Sequence, residues 1–255
     1  MYYRASKAKR RLACSSMHQS QPVAFDPARP GTRNVDWLAA LEGEPLWSPA
    51  PGPLLIVSPH PDDEVLAAGG LMRKWSERGH AVIVLSVTDG EAAHPGWRGL
   101  GDIRQEELER ALATLCSRPI RTVRLAMPDG GVRMKLTELL CALRKQCESA
   151  PTLVAPFEAD GHPDHEAVAL ACLTVADDLR LAIVRYPIWA WHHAQPADFV
   201  GRRWGRFPLD AKTRAIKRAA MSCFSSQLDS RAARTPIVPR HVLEYFQRDY
   251  EAFLV

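Results

Sequence analysis

From residue 53 onward the chain alternates short apolar runs with longer stretches of helical periodicity, and this alternation restricts the fold more than any other feature. Leu54-Leu55-Ile56-Val57 is apolar at every position, as a strand buried on both faces must be, and residues 81–87 have the same character. Leu108, Ala111, Leu112 and Leu115 recur at i, i+3, i+4 and i+7 and predict an amphipathic helix opening near Asp102. Further strands are expected at 120–125, 153–156 and 181–184, with helices at 65–78, 136–147 and 164–178 between them. Successive parallel strands need crossovers, usually helical, that cover both faces of the sheet. The expected fold is therefore α/β, a Rossmann-like, mostly parallel sheet with helices on both faces, forming a single domain over residues 51–255. Residues 1–50, rich in Pro, Arg and Ser, read as a partly disordered N-terminal lead-in with one short helix at 35–41. Residues 186–255 hold an aromatic segment at 186–193 and helices expected at 210–224 and near 242–253; this portion is expected to cover the site.

The chain carries a net charge of +4, much of it from Arg4, Lys7, Lys9, Arg10 and Arg11, which leaves the body close to neutral. Without aromatic interleaving or an RNA-binding signature, no nucleic-acid partner is expected. The six cysteines form no C-x-x-C pair and read as reduced core residues. No run of eighteen apolar residues or secretory leader is present in the sequence, so no integral membrane segment is expected and the expected location is cytoplasmic. A homo-oligomer is compatible with this composition.

In open sheets of this kind ligands bind beyond the carboxyl ends of the strands, and two loops there are crowded with ionisable groups. His60-Pro61-Asp62-Asp63-Glu64 follows the first strand, and Asp160-Gly161-His162-Pro163-Asp164-His165 follows the fourth. Unpaired charges at a buried sheet end are costly, and a divalent cation removes the problem by pairing them. A catalytic zinc usually takes three protein ligands and keeps a position for water. The two loops supply such a set, with titratable residues left over for acid–base work. Helix capping would account for Asp62, Asp63 and Asp164, but not for the histidines.

Both blocks resemble the signatures of the LmbE-like, or PIG-L-like, N-deacetylases: Ser58-Pro59-His60-Pro61-Asp62-Asp63-Glu64 looks like the first, and Gly161-His162-Pro163-Asp164-His165 like the second. The resemblance implies metal-dependent removal of an N-acyl, most often N-acetyl, group from a small-molecule amino sugar or glycoconjugate, releasing free amine and acetate. It implies His60, Asp63 and His165 as ligands of Zn2+, with Fe2+ suited to the same donors. Asp62 would be the general base, and His162 the cation that stabilises the oxyanion and protonates the leaving amine, its ring oriented by Asp164. Glu64 would support the site from the helix start. Arg104-Gln105-Glu106-Glu107-Leu108 is similar to the family's Arg-x-x-Glu-Leu segment and Met127-Pro128-Asp129-Gly130 to its Pro-Asp-Gly turn, which makes Arg104 and Asp129 substrate-binding residues. The residues alone also allow an Arg104–Glu107 ion pair on the helix surface and plain turn chemistry at Asp129-Gly130. Trp189–His193 reads as packing, with a substrate role for Trp191 or His192 as the alternative. A second functional reading is a non-catalytic metal- and sugar-binding module on the same fold; the presence of both a base and an acid weighs against it.

Overall fold

The computed structural model describes residues 26–148, 150, 152–229 and 235–255, so the basic cluster between Arg4 and Arg11 lies outside the described residues. After α1 (Asn34–Leu41), strands and helices alternate as the periodicity requires: β1 (Leu54–Ser58), α2 (Asp63–Glu77), β2 (Val82–Thr88), α3 (Leu100–Leu115), β3 (Arg121–Met127), α4 (Leu136–Cys147), β4 (Thr152–Pro156), α5 (Pro163–Leu179) and β5 (Ala182–Tyr186). Next come α6 (Ala190–His193), β6 (Trp204–Pro208), α7 (Ala211–Met221), α8 (Ser225–Leu228), α9 (Arg240–Leu243) and β7 (Tyr250–Leu254).

The sheet order is β3-β2-β1-β4-β5-β7-β6, with the first five strands mutually parallel. Strand residues alternate between two cores. Leu54, Ile56, Val82 and Val84 pack with Leu71 and Trp75 of α2 and Leu108 of α3, whereas Leu55, Val57, Ile83 and Leu85 pack with Leu139 of α4 and Val168 of α5. The chain leaves β1 for β2 on one side and later returns to lay β4 on the other, in register Leu54↔Thr152 to Ile56↔Val154. The crevice at such a reversal is where doubly wound sheets bind ligands. Both ionisable loops, after β1 and after β4, open onto it.

The C-terminal portion departs from expectation. The helix expected near 242–253 is α9, a 3₁₀ turn at Glu244–Phe246 and then β7, which pairs antiparallel with β6 from Trp204↔Leu254 to Pro208↔Tyr250 and touches β5 at Arg185↔Leu254. Periodicity alone does not separate strand from helix in so short an apolar run. β6 itself, Trp-Gly-Arg-Phe-Pro, carries two residue types depleted in strands. Glu251 of β7 also does a helix's work: α2 kinks at Ala68 (φ −131°, ψ 16°), and the Glu251 carboxylate accepts from Gly70 N at 2.6 Å and Leu71 N at 2.8 Å, just beyond the kink. Lys217 of α7, 2.7 Å away, balances its charge. Among the described residues, no helix is long and apolar enough to cross a membrane.

Candidate metal centre and active site

The first loop is shaped by Asp62, whose φ of 140° and ψ of −34° are rare for a residue with a side chain and cost about 1–3 kcal/mol. Its carbonyl accepts from Val65 N and Leu66 N at 3.0 and 2.9 Å, which starts α2 one residue later. Ser58 Oγ lies 2.6 Å from the His60 carbonyl, which can only accept, so its single proton goes there. Its 2.5 Å contact with Glu64 Oε2 therefore needs a proton from Glu64, and burial does push that carboxyl up to about 8. In the second loop, Pro163 occupies the first helical position of α5, where its missing N–H costs nothing. Gly161 has φ 83°, and a methyl group there would meet His193 Nε2 at 2.5 Å.

These loops bring His60, Asp63 and His165 together. His60 Nδ1 and His165 Nε2 are 3.1 Å apart, and Asp63 Oδ2 lies 3.5 Å from the first and 3.3 Å from the second. Donors about 2.0–2.2 Å from a tetrahedral zinc are about 3.3–3.5 Å from one another, so the triangle has the size of one face of such a site. The far side of each ring assigns its tautomer. His60 Nε2 is 3.1 Å from Asp129 Oδ1 and His165 Nδ1 is 2.8 Å from Asp160 Oδ2, carboxylates that hold protons on those nitrogens. Lone pairs of Nδ1, Nε2 and Oδ2 then converge on one point, an arrangement that calls for a cation. In the metal-free protein protons take that role. Burial pulls both imidazoles down, but Asp129, Asp164 and Asp63 hold His60 well above its ordinary value, and Asp63 and Asp160 hold His165 at about 9. The donor set fits a divalent ion.

His162 also stands within 4.8 Å of His60 and His165 as an alternative third donor. The triangle with Asp63 is tighter, and His162 is otherwise engaged. Its Nδ1 accepts from Asp164 N at 3.2 Å, so that nitrogen is unprotonated and the ring's proton sits on Nε2. Burial, then the proximity of His165 and His60, pull it down to about 3. The expected imidazolium is thus a neutral imidazole. Nor does the Asp164 carboxylate orient that ring: its oxygens accept from Gly130 N at 2.6 Å and Val132 N at 3.2 Å, with His60 Nε2 3.5 Å away. An acid at a helix N-terminus is more readily satisfied by neighbouring backbone amides than by its own capping residue.

Asp62 is buried beside this triangle and forms an ion pair with Arg104 Nη2 at 3.4 Å. Burial raises its carboxyl to about 7 against the pull of Arg104. Arg104 is committed to the loops, donating to Pro61 O at 2.8 Å and Gly90 O at 3.2 Å. The Glu107 carboxylate instead accepts from Ser225 and Ser226 of α8. Asp129 places Oδ1 on His60 and Oδ2 on Ala92 N at 2.9 Å, and His60 outweighs burial to lower it to about 2. It stands as a support of His60 more than as a free acceptor.

All of this forms the floor of a cavity of about 500 Å³, which His60, Asp62, Asp63, Arg104, Asp129 and His162 line from below. The walls are apolar: Leu66, Ile188, Trp189, Ile237 and Val238. Trp191 and His192 do not line it, so the aromatic segment reaches the site through Trp189. Sequence reasoning missed the work of Asp160. Beyond holding His165, its carboxylate accepts from Ile188, Trp189 and Ala190 N at 2.8, 3.1 and 3.0 Å. The one signal was an acid five residues before a histidine expected as a metal ligand.

Fold and site define an α/β protein with a candidate metal site of histidines and carboxylates at its switch point. Residues 55–176 are similar to the family described as PIG-L: GlcNAc-PI de-N-acetylase. Over 164 residues the chain is 30% identical to the 1D-myo-inositol 2-acetamido-2-deoxy-alpha-D-glucopyranoside deacetylase of Rhodococcus erythropolis, an alignment covering 52% of this chain and 55% of that protein. The chain thus spans about half the length of such relatives. Among solved structures it resembles the conserved protein TT1542 of Thermus thermophilus, with 26% identity, a TM-score of 0.55, and coverage of 79% of this chain and 93% of that one. It shares its fold with the zinc-inhibited form of teicoplanin deacetylase Orf2, with 16% identity, a TM-score of 0.63, and coverage of 79% and 97%.

Proposed function

We propose that this chain hydrolyses the amide of an N-acylated, most often N-acetylated, amino-sugar compound, releasing the free amine and a carboxylate. The observation that carries this reading is the convergence of three donor atoms, His60 Nδ1, His165 Nε2 and Asp63 Oδ2, beside a buried carboxylate in a ligand-sized cavity. His60, Asp63 and His165 would hold a Zn2+ ion, and Fe2+ suits the same donors. When bound, such an ion polarises an acyl carbonyl and eases deprotonation of water. Asp62 accepts the proton of the attacking water on its carboxylate and returns it to the amine nitrogen as the C–N bond breaks. His162 donates Nε2–H to the acyl oxygen as negative charge develops there. Arg104 keeps Asp62 aimed, Asp129 and Asp160 fix the His60 and His165 rings, and Asp164 fixes the turn that carries Asp129. The five free cysteines among the described residues, three of them buried, favour a reducing compartment such as the cytoplasm.

The test is metal content of the anaerobically purified protein and of His165→Ala, paired with fluorescamine detection of amine released from N-acetylglucosamine derivatives. About one ion per chain, lost in the variant together with amine release, is the expected result. Metal without amine release from any derivative would favour the non-catalytic binding module, and no metal at all would overturn the reading.

A further inference from the structure

The charged and imidazole side chains that line the cavity are the six of the proposed metal and acid–base site. Among the described residues no serine, threonine, asparagine, glutamine, lysine or tyrosine lines it. An unmodified amino sugar presents a hydroxyl on most ring carbons, and each one buried without a partner opposes binding. The large side chains in the rest of the lining are apolar instead: Leu66, Ile188, Trp189, Ile237 and Val238. Those walls are fixed before any ligand arrives. Asp160 ties down the backbone of Ile188 and Trp189, and Val238 N donates to Gln227 O at 3.1 Å. A fixed apolar wall adds affinity without an ordering cost on binding. At about 500 Å³ the cavity also has room for more than a single sugar ring.

We propose that the acylated amine taken by this site carries an apolar group, an alkyl chain or an aromatic ring, that seats against Ile188, Trp189, Ile237 and Val238. The inference rests on the deacylase reading of the floor. The group belongs either to the acyl chain or to the substituent on the amine-bearing sugar, and both present the same chemistry to the wall.

Two substrate series separate these sources. In one, alkyl N-acetylglucosaminides run from methyl to hexyl; in the other, N-acyl glucosamines run from acetyl to hexanoyl, with amine release measured on the metal-loaded protein. In one series kcat/KM is expected to rise about two- to fourfold per methylene, and Ile237→Ser is expected to flatten that rise. Binding of the hexyl glycoside, read by tryptophan fluorescence, gives a second measure that does not need turnover. Amine release with no chain-length dependence in either series, and no preference for hexyl over methyl in binding, would overturn the apolar seat and leave the deacylase reading standing. Chain-length-dependent binding without amine release from any member would keep the seat and overturn the deacylase reading. Neither response would overturn both.

Discussion

Asp62 joins two demands that oppose each other at one residue. Its backbone holds a positive φ that glycine adopts without strain, yet its carboxylate is the proposed base. Asp62→Gly is therefore expected to abolish amine release, while relief of about 1–3 kcal/mol of backbone strain offsets part of the cost of leaving Arg104 without its carboxylate; denaturant titration beside Asp62→Ala, which keeps the strain, reads that offset, and a glycine variant no more stable than the alanine one would refute it. Gly161 is the converse case. Ala at that position forces contact with His193 and is expected to cost about 1–3 kcal/mol and to lower kcat by displacing His162; an undisturbed, fully active variant would refute this. The three proposed ligands could be named from the sequence because two contiguous blocks crowd histidines and carboxylates at strand ends, and their resemblance to known signatures singles out His60, Asp63 and His165. The work of Asp160 and Asp129 could not, since it depends on which ring nitrogen the fold turns toward them. The lowered basicity of His162 was hidden for the same reason: it follows from burial and from the two imidazoles that the fold sets beside it.

At the scale of elements, the kinked helix α2 is held by charges from elsewhere in the chain. Glu251 of β7 stands in for the turn that Ala68 interrupts, and Lys217 of α7 balances it, both side chains almost wholly buried. Removing either partner leaves the other charge stranded, so Lys217→Ala and Glu251→Ala are each expected to cost about 3–5 kcal/mol. The double variant should cost clearly less than their sum; additive losses in a double-mutant cycle would sink this account. The pair escaped the sequence reading because residues 242–253 read as one helix, which hides the strand that sets Glu251 beside α2. The parallel strands were readable for the opposite reason. The central strands β1, β2 and β4 are buried on both faces and largely apolar, whereas the outer β3 and β5 carry Arg121, Arg124 and Arg185 and are only partly buried; α4 shows its apolar stripe within its own residues.

For the molecule as a whole, the ion would stabilise the fold by mass action, by about 2.7 kcal/mol at a hundredfold excess over its dissociation constant. Chelation should lower Tm accordingly, and an unchanged Tm would argue against a bound ion. The metal-free protein keeps extra protons on His60 and His165, the latter up to about pH 9. An incoming ion must displace them, so affinity should rise with pH toward 9, with proton release visible by calorimetry in buffers of different ionisation enthalpy; pH-independent uptake would contradict the proposed ligand set. The strand order carries one more consequence. β6 pairs within the sheet only through β7, which lies far behind it in the chain, while the five parallel strands need neither. Until β7 is made, the backbone partner of β6 is the segment 45–47, where Trp47 N donates to Arg206 O and Arg206 N to Pro45 O, each at 2.9 Å. Of the described strands β7 is the latest in the chain, and it is the wedge that admits its elder neighbour to the sheet.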